Sequence, residues 1–197
     1  MRLFVALDLN TKVIANLTEL VRRLAPMAPI HWVHPRNMHV TLKYIGEWDE
    51  DRLDEVVDTL SRVRIQAKVK VPLAGLGFFP YPRSPRVFWV IAENTPPLRQ
   101  LASTVDSRLS HLGIAPEVRP YVPHLTLGRL RGECDLTEMH EAIEELPTRD
   151  FGAIEPDSFS LYGSSLTESG PIHRKIEEFP YQLPVAKDYA SRVALRV

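Results

Sequence analysis

The residues best suited to chemistry come as a pair of short motifs, Met38-His39-Val40-Thr41-Leu42 and Pro123-His124-Leu125-Thr126-Leu127. Imidazole titrates near neutral pH and can give or take a proton, while a threonine hydroxyl two residues on can donate a hydrogen bond to an anionic oxygen. Two of each suit acid–base chemistry at phosphorus. One H-x-T arises easily in a chain with seven histidines, and a His beside a Thr on a sheet is ordinarily a cross-strand hydrogen-bonded pair. Two copies, each followed by Leu and each on a predicted strand, favour catalysis instead.

Strand periodicity puts His39 and Thr41 on one face, with Met38, Val40 and Leu42 on the other; the second copy sorts likewise, with Leu125 and Leu127 opposite His124 and Thr126. Apolar faces turned to a core leave two His/Thr faces to line one cleft. The rest of the chain supplies the frame. Arg2 to Leu7 reads as a strand, then comes a helix from about Thr11 striped by Val13, Ile14, Leu17, Leu20, Val21 and Leu24. Ile30 to Val33 is a short strand candidate, and Asp49 caps a helix striped by Leu53, Val56, Val57, Leu60 and Val63. Ala67 to Val71 begins another strand, whereas Gly75 to Pro85 is loop-like. The pattern then restarts, since Arg86-Val87-Phe88-Trp89-Val90-Ile91 echoes Arg2-Leu3-Phe4-Val5-Ala6-Leu7 in type and stands at nearly the same distance from its H-x-T. A second capped helix follows at Thr95-Pro96, another opens near Asp135, and Phe159 to Tyr162 and Ile172 to Phe179 read as strands. The expected fold is α+β, with two pseudo-twofold related β-α-β-β-α-β lobes whose mixed or antiparallel sheets face a central cleft. One domain spans 1–197, with a first lobe over about 1–80, a second over about 81–184 and a tail at 185–197.

Composition narrows the function. With 24 basic against 25 acidic residues and a net charge of -1, the chain lacks a footprint for duplex nucleic acid, though a small RNA end or nucleotide fits. Cys134 is the single cysteine, which excludes an internal disulfide and a cysteine metal cluster. The N-terminus meets Asp8 too early for a secretory segment and no apolar run nears membrane-spanning length, so the cytoplasm is expected. No G-x-G-x-x-G or G-x4-G-K-[ST] follows a strand, and no nucleoside triphosphate is expected.

The paired motifs resemble those of the two-histidine (2H) phosphoesterase superfamily, and more narrowly the RNA 2′,3′-cyclic phosphodiesterases, also called 2′-5′ RNA ligases. Matching segments run through most of the chain: Arg2 to Asp8, Trp32 to Leu42, Phe78-Phe79-Pro80 with Pro85 to Trp89, and Arg119 to Arg129. The resemblance implies hydrolysis of a terminal 2′,3′-cyclic phosphate to a 2′-phosphate, with reversible 2′-5′ ligation. It makes His39 and His124 the acid–base pair and Thr41, Thr126 and Arg129 the phosphate ligands. Val5 stands where the family often repeats Phe, which leaves Phe4 or Tyr121 to stack on a base. The partners the resemblance implies are RNA ends or nucleotides bearing the cyclic phosphate; no cofactor and no metal are expected, because the two imidazoles come without a plausible metal shell, nor a membrane or protein partner, and the chain is expected to be a monomer. His39 as acid and His124 as base is the leaning assignment, which near symmetry leaves open. Other substrates for the same chemistry, such as another cyclic nucleotide or a 2′-5′ oligonucleotide, and a noncatalytic RNA-end binding module are the rival readings.

Position along the strand qualifies two cations. Arg129 lies at an odd offset from His124 and points away from the cleft unless the strand ends or bulges at Gly128. Lys43 has the right parity, as either a phosphate ligand or a solvated strand-end lysine; its pseudo-twofold counterpart, Gly128, leaves room for a ligand. His31, His34 and His39 are close in sequence but lack a Cys or acidic partner for a metal. His111, His140 and His173 are assigned exposed roles, and Trp32, Trp89 and Phe88 are assigned to the core.

Overall fold

Alternating apolar residues and two long amphipathic helices build two antiparallel sheets in the computed structural model, which describes residues 1–81, 84–130, 132, 134–167 and 170–182. The strands are β1 (Arg2–Leu7), β2 (His31–Trp32), β3 (Val40–Glu47), β4 (Val71–Tyr81), β5 (Ser84–Ala92), β6 (His124–Arg129), β7 (Asp150–Ile154), β8 (Ser158–Thr167) and β9 (Gly170–Pro180). The helices are α1 (Thr11–Leu24), α2 (Leu53–Ser61), α3 (Pro96–Ser110) and α4 (Thr137–Glu144). One sheet has the order β3-β1-β8-β9 and the other β2-β6-β5-β4-β7, and every ladder is antiparallel. Apart from β2, the orders correspond strand by strand: β3 to β6, β1 to β5, β8 to β4 and β9 to β7. The pseudo-twofold is therefore present in the sheets themselves.

The sheets do not coincide with halves of the chain divided near residue 80. β2 and β4 cross from the first half into the second sheet, and β8 and β9 return from the second half to complete the first. The exchange makes one body, and it leaves the second half as β-α-β-α-β-β-β rather than a repeat of β-α-β-β-α-β. Residues 185–197, expected as a tail, lie outside the described residues.

Local sequence explains most boundaries. Asn10 caps α1 by accepting from the Val13 amide at 2.9 Å, and Val13, Leu17, Leu20 and Leu24 form its buried stripe. Its polar residues reach the other sheet, since the Asn10 and Asn16 amides donate to the Ala153 and Phe151 carbonyls of β7. Thr95 occupies the cap position of α3, but its hydroxyl donates to the Lys70 carbonyl. Gly75 to Pro85 is not a loop. Its described residues belong to the paired strands β4 and β5, and Gly75 and Pro80 sit at register shifts while Gly77 lies against a large neighbour: a Cβ there would overlap the Trp89 indole.

Candidate active site

The two H-x-T segments are built alike down to single atoms. Nδ1 of His39 bonds the Asn37 carbonyl at 2.7 Å, and Nδ1 of His124 bonds the Val122 carbonyl at 3.0 Å. A carbonyl can only accept, so Nδ1 carries the proton in each ring and Nε2 is left with its lone pair. Each strand then bulges at the third residue past the histidine. Ala6 pairs Thr41 and Val5 pairs Lys43, leaving Leu42 as the extra residue; Trp89 pairs Thr126 and Phe88 pairs Gly128, leaving Leu127 as the extra residue. A bulge reverses the alternation of faces beyond it. Arg129, opposite Val87, therefore shares the face of Thr126 and His124, as the sequence allowed if the strand bulged, although the bulge falls one residue before Gly128.

The same device removes Lys43 from the cleft. It lies beside Val5 on the opposite face, 3% exposed, with Nζ 2.6 Å from Asp106 of α3, 3.3 Å from Glu117 and 2.7 Å from the Ala115 carbonyl. The phosphate-ligand reading of Lys43 is thus corrected: it is a buried ion-pair partner that fastens β3 to α3. Gly128 leaves no room for a ligand either, because a Cβ there would run into Ile30. The residue that corresponds to Arg129 is Tyr44, opposite Phe4 and more than half exposed.

Surroundings distinguish the two histidines. His39 stacks on Phe4 with ring centroids 4.7 Å apart, and His173 of β9 meets it edge-on at 5.5 Å. Burial pushes the His39 pKa down to about 4; the Asn37 carbonyl and the Asp8 carboxylate oppose this, while His173 and His124 add to it. His124 is close enough for its charge to disfavour a charge on His39. Asp8, just past β1, accepts from the Tyr162 hydroxyl, from Ser160 Oγ at 3.2 Å and from Lys175 Nζ at 2.7 Å. Burial alone would raise the Asp8 pKa, yet those hydrogen bonds hold it below the ordinary carboxylate value. His124 is half-buried beside Trp89, with centroids 4.7 Å apart.

Phe4 is 4% exposed, its ring spent on His39, Tyr162 and His173, so it supports the site and has no free face for a base. Tyr121 is a tether: its hydroxyl donates to the Thr41 carbonyl at 2.8 Å and ties the approach to the second motif to the first. Phe88 is core as expected, fully buried, and Trp32 packs edge-on against it. Trp89 is corrected, because it shares the cleft face with Thr126 and His124. Phe79 and Ile91, about half exposed, flank it on that face. His173, assigned an exposed role, belongs to the site. The polar alternation of Ser160 and Tyr162 on a strand with buried Phe159 and Leu161 was the available signal that this face of the sheet turns toward something polar.

The other histidines disperse. His31 is exposed on β2, His34 Nδ1 accepts from the Arg36 amide in a turn, His111 ends α3 and His140 packs on Phe78. Among the described residues no three His, Cys, Asp or Glu side chains are placed to hold a metal ion, and no helix is long and apolar enough to cross a membrane.

The duplication seen in the sheets recurs in comparison with known proteins. The family model LigT like Phosphoesterase matches this chain twice, over residues 7–89 and 91–173, one H-x-T in each match. The chain is 37% identical over 186 residues to the RNA 2′,3′-cyclic phosphodiesterase of Thermotoga maritima, covering 92% of this chain and 96% of that one. It is 32% identical to the protein of that name from Archaeoglobus fulgidus, covering 91% and 99%. Among solved structures, TT0787 of Thermus thermophilus superposes with a TM-score of 0.79 at 28% identity, over 93% of this chain and 99% of that one. LigT of E. coli complexed with 3′-AMP gives 0.74 at 25% identity, over 91% and 97%. With two family matches that together span both sheets and both histidines, the chain belongs to the LigT-like phosphoesterase family.

Proposed function

We propose that the protein hydrolyses the 2′,3′-cyclic phosphate at an RNA end to a 2′-phosphate, with reversible 2′-5′ ligation when a 5′-hydroxyl takes the place of water. The observation that carries this reading is the pair of identically held imidazoles, each with Nδ1 on a carbonyl and Nε2 free, on two strands that face one cleft. Relatives that share over 90% of the chain are RNA 2′,3′-cyclic phosphodiesterases, which supports the substrate.

Ring opening by water needs in-line attack, with base and acid on opposite sides of phosphorus. His124, half-buried and open to water, takes the proton from the nucleophile. His39, enclosed by Phe4 and His173, gives a proton to the departing 3′ oxygen of the ribose. In the free protein burial keeps His39 neutral, so it must take up a proton when the phosphate anion arrives and offsets the cost of the charge. Each proton transfer is worth about 10²–10⁴-fold in rate. Thr41, Thr126 and Arg129 share the cleft face with the histidines and hold the non-bridging oxygens. Trp89, with Phe79 and Ile91 beside it, offers the apolar surface on which an RNA base stacks, replacing Phe4 and Tyr121 in that role. The chemistry needs no resident cofactor, and the setting is the cytoplasm, with the protein acting as a monomer on small RNA ends.

The test is incubation with a short RNA ending in a 2′,3′-cyclic phosphate, in EDTA, followed by phosphorus NMR. Turnover to a 2′-phosphate is expected. A 3′-phosphate product, or activity lost in EDTA and restored by zinc or manganese, contradicts the reading; binding without turnover makes the protein an RNA-end binding module.

A further inference from the structure

A third imidazole stands in the cleft. β9 carries His173 to a position edge-on to Phe4 at 4.9 Å and to His39 at 5.5 Å. The charge of Arg129, a proposed phosphate ligand from the opposite sheet, bears on this ring. His173 thus stands against the proposed catalytic histidine, within reach of the charge of the proposed phosphate-binding cation.

Its ring nitrogens are unequal. Nδ1 is buried and has no hydrogen-bond partner among the described residues. Nε2 is not among the buried unpartnered atoms, so the half-buried ring opens to solvent at that nitrogen. A buried N–H without an acceptor is rare in folded proteins, and an acceptor left unpaired in the same place is tolerated somewhat more readily. Nδ1 is therefore the unprotonated nitrogen, and the ring proton resides on Nε2. A second proton would bury an N–H without an acceptor and set a charge within the field of Arg129, so the ring stays neutral. Burial and Arg129 both lower its pKa, in the same sense. This is the reverse of His39 and His124, whose carbonyl partners fix the proton on Nδ1. Two rings carry a lone pair at Nε2 and the third carries a donor there.

We propose that His173 is a substrate-binding residue, a neutral imidazole whose Nε2–H donates to a non-bridging oxygen of the phosphate held between His39 and His124. The proposal rests on the phosphodiester reading of the site, and its test separates the two.

Nitrogen-15 NMR of the histidine-labelled full chain at pH 7 reads each ring tautomer directly. His173 should be neutral and protonated at Nε2, with His39 protonated at Nδ1, and inorganic phosphate should shift the His173 Nε2–H resonance. Finding His173 protonated at Nδ1 or on both nitrogens overturns the proposal, as does phosphate binding with no response at Nε2. In turnover of a 2′,3′-cyclic nucleotide, H173F should raise KM about tenfold or more with a smaller effect on kcat, as expected for one lost hydrogen bond to an anion. Both limbs of the pH profile should remain, because the neighbouring His39 and Arg129 are untouched. H173Q, whose amide nitrogen reaches the place of Nε2, should recover part of the loss and H173N should not. An unchanged KM in folded H173F refutes the role while leaving the phosphodiester reading intact. If wild-type protein turns over no cyclic phosphate yet phosphate still shifts His173 Nε2–H, the phosphodiester reading fails and the phosphate contact stands. Should H173F not fold, the NMR measurements on wild-type protein decide.

Discussion

The two half-sites share a backbone and differ in what surrounds it. Around His39 the first sheet supplies Phe4, His173 and the network of Asp8, Tyr162, Ser160 and Lys175, so the imidazole is enclosed and its charge costly. Around His124 the second sheet supplies Trp89, Phe79 and Ile91, which leave the imidazole half-open beside an apolar shelf. Repetition of the carbonyl-held ring and the following bulge makes two equivalent proton carriers. The unequal surroundings fit the separate roles proposed for them, His39 at the leaving group and His124 at the water.

The largest effect should come from removing either ring. His39→Ala and His124→Ala are each expected to cost about 10²–10⁴-fold in kcat, and the double variant should be little worse than the worse single, because both act on one displacement. Additive losses in free energy, read from the four-way comparison of rates, would mean that the two rings act independently of each other.

The bulges allow the comparison to be broken on one side only. Lys43→Met should leave kcat/KM of the folded protein close to wild type but lower stability by about 3 kcal/mol, since it strands the Asp106 carboxylate at the β3–α3 contact. Arg129→Met should do the opposite, raising KM for the cyclic phosphate about tenfold or more with little change in a denaturant melt. If Lys43→Met instead impairs phosphate binding without destabilising the fold, the assigned faces are wrong.

Stability should depend on pH through His39 in particular. Its folded-state pKa of about 4 lies below its ordinary 6.5, so the unfolded chain takes up the proton first as pH falls. The contribution is complete above about pH 6.5 and declines toward pH 4, by about 3 kcal/mol in all. Denaturant melts of wild type and His39→Gln across that range should converge at low pH; parallel curves would show that His39 is not held neutral by burial. Proton uptake on binding a 2′-phosphorylated nucleotide at pH 7, from calorimetry in buffers of different ionisation enthalpy, checks the other half of the same cycle.

The smallest effect sharpens the contrast in apolar surroundings. Trp89→Ala should weaken an RNA substrate more than inorganic phosphate, by about 1–3 kcal/mol for a stacked base. Equal loss for both ligands would assign the indole to support of His124 alone.

What could be read from the sequence follows from the range of each interaction. The H-x-T faces, the α1 stripe and the echo of β1 in β5 depend on neighbours a few residues apart, and the structure bears them out. The fate of Lys43 depended on one extra residue in β3, which periodicity cannot register because a single bulge inverts every face beyond it. β4 hid behind Gly75, Gly77 and Pro80, whose presence there answers to Ile91, Trp89 and a register shift on the neighbouring strand. His173 reaches His39 only through the β1–β8–β9 ladder, and nothing local to β9 announces that contact.

The rate of cyclic-phosphate opening against pH, for wild type and the two histidine variants, tests the paired-imidazole account most directly. Wild type should give a bell. The acidic limb, where the base becomes protonated, should vanish in His124→Ala, and the alkaline limb, where the acid loses its proton, should vanish in His39→Ala. Near-normal turnover in either folded variant, or a bell unchanged by both substitutions, would contradict it.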